Sequence, residues 1–133
     1  MTTTEYGFRT PLTVPFEQAV ASVTAALQAE GFGILSEIDV QATLKKKLDA
    51  DFRRYVILGA CNPHLAHRGL SAELELGLLL PCNVIVYESE PGQSVVSIVD
   101  PLAMLGIVEN PALREVADEA TVRLRRVAAA LAN

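Results

Sequence analysis

Residues Tyr55-Val56-Ile57-Leu58-Gly59-Ala60 form a continuous apolar run. Its length suits a strand better than a helix, and only neighbours on both sides can keep it from water, so it is expected to be a central strand. The run stops abruptly. Cys61 is followed by Asn62-Pro63, an N-cap and N1 pair that opens a helix.

The rest of the chain arranges itself around that strand. Residues 6–14 alternate loosely and read as a first strand. Pro15 fits the start of a helix whose Phe16, Val20, Val23 and Leu27 mark one buried stripe, and Gly31 and Gly33 end it. Ile34 to Val40 read as a strand, and Gln41 to Leu48 as a short helix with Leu44 and Leu48 inward and Lys45, Lys46 and Lys47 outward. The helix opened by Pro63 carries Leu65, Ala66 and Leu70 inward and ends near Glu73. Leu76 to Leu80 are ambiguous, and Pro81 closes them because the residue before proline avoids the α region. Asn83–Glu88 and Ser94–Val99 read as strands joined by a loop over 89–93. Asn110-Pro111 repeats the cap signature before a final helix with Leu113, Val116, Ala120, Leu124, Val127 and Leu131 on one face. The expected order is β-α-β-(α)-β-(α)-β-β-α in one domain, with the bracketed helices as insertions.

Composition narrows the function. The 133 residues are half apolar and one fifth charged, which excludes a disordered chain. The net charge of −5 argues against binding a phosphate backbone, so no nucleic-acid partner is expected. Neither a secretory leader nor an apolar run near the ~20 residues of a membrane span is visible, so a cytoplasmic chain with no membrane partner and reduced thiols is expected. No Gly-rich nucleotide loop, P-loop or Ser-His-Asp order occurs, and no cofactor is expected.

Four segments carry a family likeness: Gly59-Ala60-Cys61-Asn62-Pro63, Leu79-Leu80-Pro81-Cys82-Asn83-Val84, Glu30-Gly31-Phe32 and Asp100-Pro101. Over about residues 5 to 131 the chain resembles the domain-of-unknown-function 302 family. The resemblance implies an α+β fold similar to a TATA-box-binding-protein half-domain, with a β-α-β-β-β-β-α core. In it, an antiparallel sheet of about five strands carries two long helices on one face, with two inserted short helices, in a homodimer. It implies no particular activity, and the fold analogy does not import DNA binding.

Antiparallel pairing has a specific consequence for site residues. It brings the end of the third strand, the start of the fourth and the end of the fifth to one sheet edge, gathering Cys61, Asn62, Cys82, Asn83 and Asp100 there, with Met104 in the following loop. A parallel sheet would instead hold the cysteines a sheet length apart. Strand ends and helix starts are common places for sites. Cys61 precedes a helix N-terminus, which lowers a thiol pKa, so a redox or nucleophilic pair with Cys82 is one reading. Two small buried hydrophobes at element boundaries is the plainer one. Cys61, His64, His67 and Cys82 together would make a weaker, zinc-like set against the expectation of no metal. Asp100 reads as a turn former, and Asp39 as an ion-pair partner or N-cap. The apolar loop 101–108 has three possible roles: covering the core edge, crossing a dimer axis or lining a pocket. The preferred function is binding of a small molecule or protein partner at this edge. The alternative is a thiol-dependent redox or transfer enzyme.

Overall fold

Along the strand Tyr55–Cys61, Val56, Leu58 and Ala60 point to one face and are buried, while Tyr55 and Ile57 point to the other and stay half-exposed. The same alternation runs through the first half of the strand Cys82–Glu90, and the helices lie on one side only. The computed structural model describes residues 1–132. Its strands are β1 (Thr2–Thr3), β2 (Gly7–Leu12), β3 (Gly33–Asp39), β4 (Tyr55–Cys61), β5 (Cys82–Glu90) and β6 (Gln93–Val99). The helices are α1 (Phe16–Ala29), α2 (Val40–Leu48), α3 (Pro63–Ala72), α4 (Pro101–Leu105) and α5 (Ala112–Leu131), with a 3-10 turn over Leu74–Leu79.

The sheet has six strands in the order β1-β2-β6-β5-β4-β3, every neighbour antiparallel. The expected α+β class and antiparallel sheet are both present. The extra strand is β1, two residues paired to β2 through Thr2 opposite Arg9 and Thr3 opposite Phe8. It is too short to leave a periodic signal in the sequence. The apolar strand is interior, as its composition demanded.

Helices α1 and α5 cover the buried face. Val23 and Leu27 of α1, and Leu124, Val127 and Ala128 of α5, pack on Phe8, Leu58, Val84, Val86, Val96 and Ile98 in the main core. All six expected apolar positions of α5 are buried. On α1, Ala19, Val23 and Leu27 are buried, while Phe16 and Val20 are only partly covered. The two helices are tied where α1 ends: Arg123 donates to the Glu30 carbonyl at 3.0 Å and Arg126 to the Glu30 carboxylate at 3.0 Å. At the other end Arg54 pairs with Glu17 and lies 4.5 Å from the Phe16 ring centre.

A second, smaller core forms beside the first. Leu76, Leu105, Leu113 and Ala117 are buried together, with Leu70, Leu79, Leu80, Leu102, Met104 and Val108 packed around them. The residues expected as a loop over 101–108 thus begin with a short helix that closes the core edge. Leu105, 6% exposed, sits inside this cluster and is not available to cross a dimer axis. Gly69 admits the 3-10 turn onto α3: a Cβ there would stand 2.6 Å from Leu76 Cδ2.

Two further local expectations change, and one is met. Leu48 does not point inward: α2 buries no residue and Leu48 is 70% exposed, because α2 lies outside both cores. Asp39 is its N-cap, accepting from Ala42 N–H at 2.9 Å. The loop between β5 and β6 shrinks to a tight turn at Pro91-Gly92, with Gly92 at φ 75°, and the surplus residue enters a bulge near Ser89.

Leu124 is fully buried between sheet and helices. Leu124→Ala should lower unfolding free energy by about 3 kcal/mol in chemical denaturation. Leu74→Ala, at a position 83% exposed, should change it by less than about 0.5 kcal/mol.

Candidate functional site

The register places the candidate residues. Ala60 stands opposite Cys82, Gly59 opposite Asn83, and Val84 opposite Ile98. The end of β4, the start of β5 and the end of β6 therefore share one end of the sheet, the end named from antiparallel pairing. From here the chain leaves into α3 and α4, and it arrives through the 3-10 turn and a cis Leu80–Pro81 peptide.

A cavity of about 310 Å³ lies at this end. Its wall includes Phe32 after α1, Ala60, Cys61 and Cys82 of the sheet, and Asn62, Leu65, Ala66 and Leu70 of α3 and its cap. Leu76 and Leu80 follow from the 3-10 segment, then Pro101 and Leu105 from α4, and Val116 and Ala120 from α5. Among the described residues no charged side chain lines it. The inserted helix α3 is held over the cavity by polar contacts on its outer side. Arg68 pairs with Glu115 at 3.6 Å and Glu119 at 3.2 Å, and Asn110 Nδ2 donates to the Ala72 carbonyl at 3.0 Å.

Of the residues singled out in the sequence, Cys61, Asn62 and Cys82 line this cavity. Asn62 is 6% exposed, and its Oδ1 caps α3 by accepting from Leu65 N–H at 3.2 Å. Its amide nitrogen packs against Gly31, where a Cβ would stand 2.9 Å away, and Gly31 adopts φ 84° at the end of α1. Asn83, Asp100 and Met104 do not line it. Asn83 is exposed and opposite Gly59, on the sheet face away from the helices. Asp100 caps α4, its Oδ1 accepting from Leu102 N–H at 3.0 Å. Met104 packs against the second core.

The reading of the two cysteines as a redox or nucleophilic pair finds no cross-strand geometry. Cys82 stands opposite Ala60 and Cys61 opposite Gly33, and successive strand residues alternate faces, so the two are not cross-strand partners. Both are free thiols. Burial raises the Cys61 thiol and pushes Cys82 up to about 11, the reverse of the lowering expected from a helix start. Desolvation of the thiolate raises both, and the charge of Cys61 adds to the rise at Cys82. His64 and His67 are exposed on α3 and away from the cavity wall. Among the described residues no three His, Cys, Asp or Glu side chains are placed to hold a metal ion.

The apolar wall was the part missed from sequence. Its signal was the density of leucines over 74–80, more than a connecting segment needs.

Residues 8–131 match the family model described as Domain of unknown function DUF302. The chain belongs to the DUF302 family. It is similar to a solved structure of an uncharacterized conserved DUF302 protein from Bacillus stearothermophilus, with 32% identity, 94% of each chain covered and a TM-score of 0.81. No curated protein matches the chain. The DUF302 match takes in every residue of the cavity wall. Among the described residues no helix is long and apolar enough to cross a membrane.

The folded chain holds the Cys82 proton more tightly than the unfolded chain does. Its contribution to stability is therefore full below the ordinary thiol value of 9.0 and falls as pH rises toward about 11. Chemical denaturation between those pH values should show this fall, and Cys82→Ala should flatten it.

Proposed function

We propose that this DUF302 domain binds a small apolar molecule in the cavity at the sheet end. The observation that carries the reading is an uncharged, mostly apolar hollow of about 310 Å³, within the size range of ligand pockets. It is built largely from the segments inserted between β4 and β5 and after β6, rather than from the sheet and long helices that make the main core. Thiol chemistry receives no comparable support. With its pKa near 11, Cys82 has only about one thiolate in ten thousand molecules at neutral pH. The cysteines and Asn62 act as wall and rim.

The reading includes a homodimer, formed through the sheet face opposite α1 and α5. Ile38, Ile57 and Ile85 stand in one row across β3, β4 and β5 on that face. Beside them Tyr55 and Tyr87 stack, with ring centres 5.6 Å apart and 9° between planes. Such a row suits a two-fold, self-complementary contact.

Two measurements check these statements. Millimolar toluene should raise the melting temperature of the wild-type chain. Ala66→Trp, which fills the cavity from α3, should abolish the rise while leaving the ligand-free chain folded. An unmoved wild-type midpoint rejects the site. In sedimentation, the wild type should run as a dimer, and Ile57→Glu with Ile85→Glu as a monomer. A monomeric wild type rejects the interface.

A further inference from the structure

We infer that the cavity takes the hydrocarbon tail of a single-chain amphiphile, whose polar head stays in water at a mouth beside Leu35. The inference rests on the cavity being a ligand site and specifies the shape and polarity of what it holds.

The wall changes character along its length. On β3 the lining residue Leu35 is 71% exposed, and Gly77 of the 3-10 turn is also open to solvent. Toward α4 and α5 the lining residues Leu105 and Val116 are only 6% and 7% exposed. The hollow thus has a wet end and a dry end. Leu35 owes its place to the register shift between Ile34 and Ser36, where it takes no partner in the β4 ladder. A bulge of this kind re-aims one side chain out of the strand's alternation. Here it sets a leucine on the lip of an apolar hollow, where a tail leaving the cavity would cover it.

Polarity decides which part of a ligand goes in. Among the described residues no charged side chain lines the wall, and the Asn62 oxygen is already taken by the Leu65 N–H. A head group drawn inside would give up its bonds to water without replacement, whereas at the mouth it keeps them. Extent decides the form of the tail. The wall reaches from Leu35 on β3 to Pro101 just past β6, three strand spacings or about 14 Å. A volume of 310 Å³ drawn out along that span is a slot, narrow for a fused ring system. At about 30 Å³ per water-sized unit it holds roughly ten carbons.

Hexyl, octyl and decyl glucoside share one bulky neutral head and differ only in tail length. We would titrate each, below its micelle concentration, into the isotopically labelled full chain and follow the backbone amides by NMR, with toluene alongside. Each added methylene should tighten binding about fourfold, and octyl glucoside should displace toluene. Ala66→Trp should abolish binding of the whole series. A nitroxide carried on the head of an octyl chain should broaden the amides of Leu35 and Gly77 and spare those of Leu105 and Val116, a readout that needs no variant. If toluene binds and no glucoside does, the inference is overturned and the cavity remains a site for compact molecules. Affinity that does not grow with the tail, glucoside binding that survives Ala66→Trp, or broadening centred on Leu105 and Val116 overturns it equally. If neither toluene nor any glucoside binds, the cavity reading itself fails.

Discussion

The register of β4 against β5 is the constraint on which the other features depend. With Ala60 opposite Cys82 and Leu58 opposite Val84, every large aliphatic of both strands that faces α1 and α5 does so together. A slip of one residue would turn outward either Leu58 of β4 or Val84 and Val86 of β5, and bring that strand's outer-face tyrosine and isoleucine into the core. The register also decides which strand ends meet, and so decides where α3, the 3-10 turn and α4 must be accommodated.

Those inserted segments have little sheet left to cover. They pack instead on one another and on the first half of α5, where Leu76, Leu105, Leu113 and Ala117 form the second core. The division of labour along α5 is clear. Leu124 to Leu131 serve the main core, while Leu113 and Ala117 serve the smaller one. The cavity lies where the two cores adjoin, with Val116 and Ala120 in its wall. Two sets of side chains, each packed around its own centre, leave unfilled space at their junction.

Much of the frame was legible in the sequence because it rests on local rules. Asn62-Pro63 and Asp39 announced helix starts through cap chemistry, and the six apolar positions of α5 announced a buried face through their spacing. The gathering of Cys61, Asn62 and Cys82 at one sheet end followed once the strands were taken as antiparallel. What stayed hidden depended on contacts distant in sequence. Whether two cysteines face each other turns on a single step of strand alternation, which spacing along the chain does not report. Their raised pKa values come from an apolar wall assembled from several separate segments. Leu48 looked like a core residue on helical spacing alone, yet α2 found no core to join. The short helix at Pro101–Leu105 spans little more than one turn, too little for periodicity to register.

The two borders of the sheet are unlike each other, yet each resists extension. On one side β1 offers only Thr2 and Thr3, a strand too brief to template a long neighbour. On the other, β3 is exposed along nearly its whole length, but a register shift between Ile34 and Ser36 breaks its ladder and it carries Glu37 and Asp39. Short, kinked or charged borders discourage the strand-by-strand growth that leads to fibres. A chain with blunted borders is thus protected from open-ended polymerisation through its sheet edges.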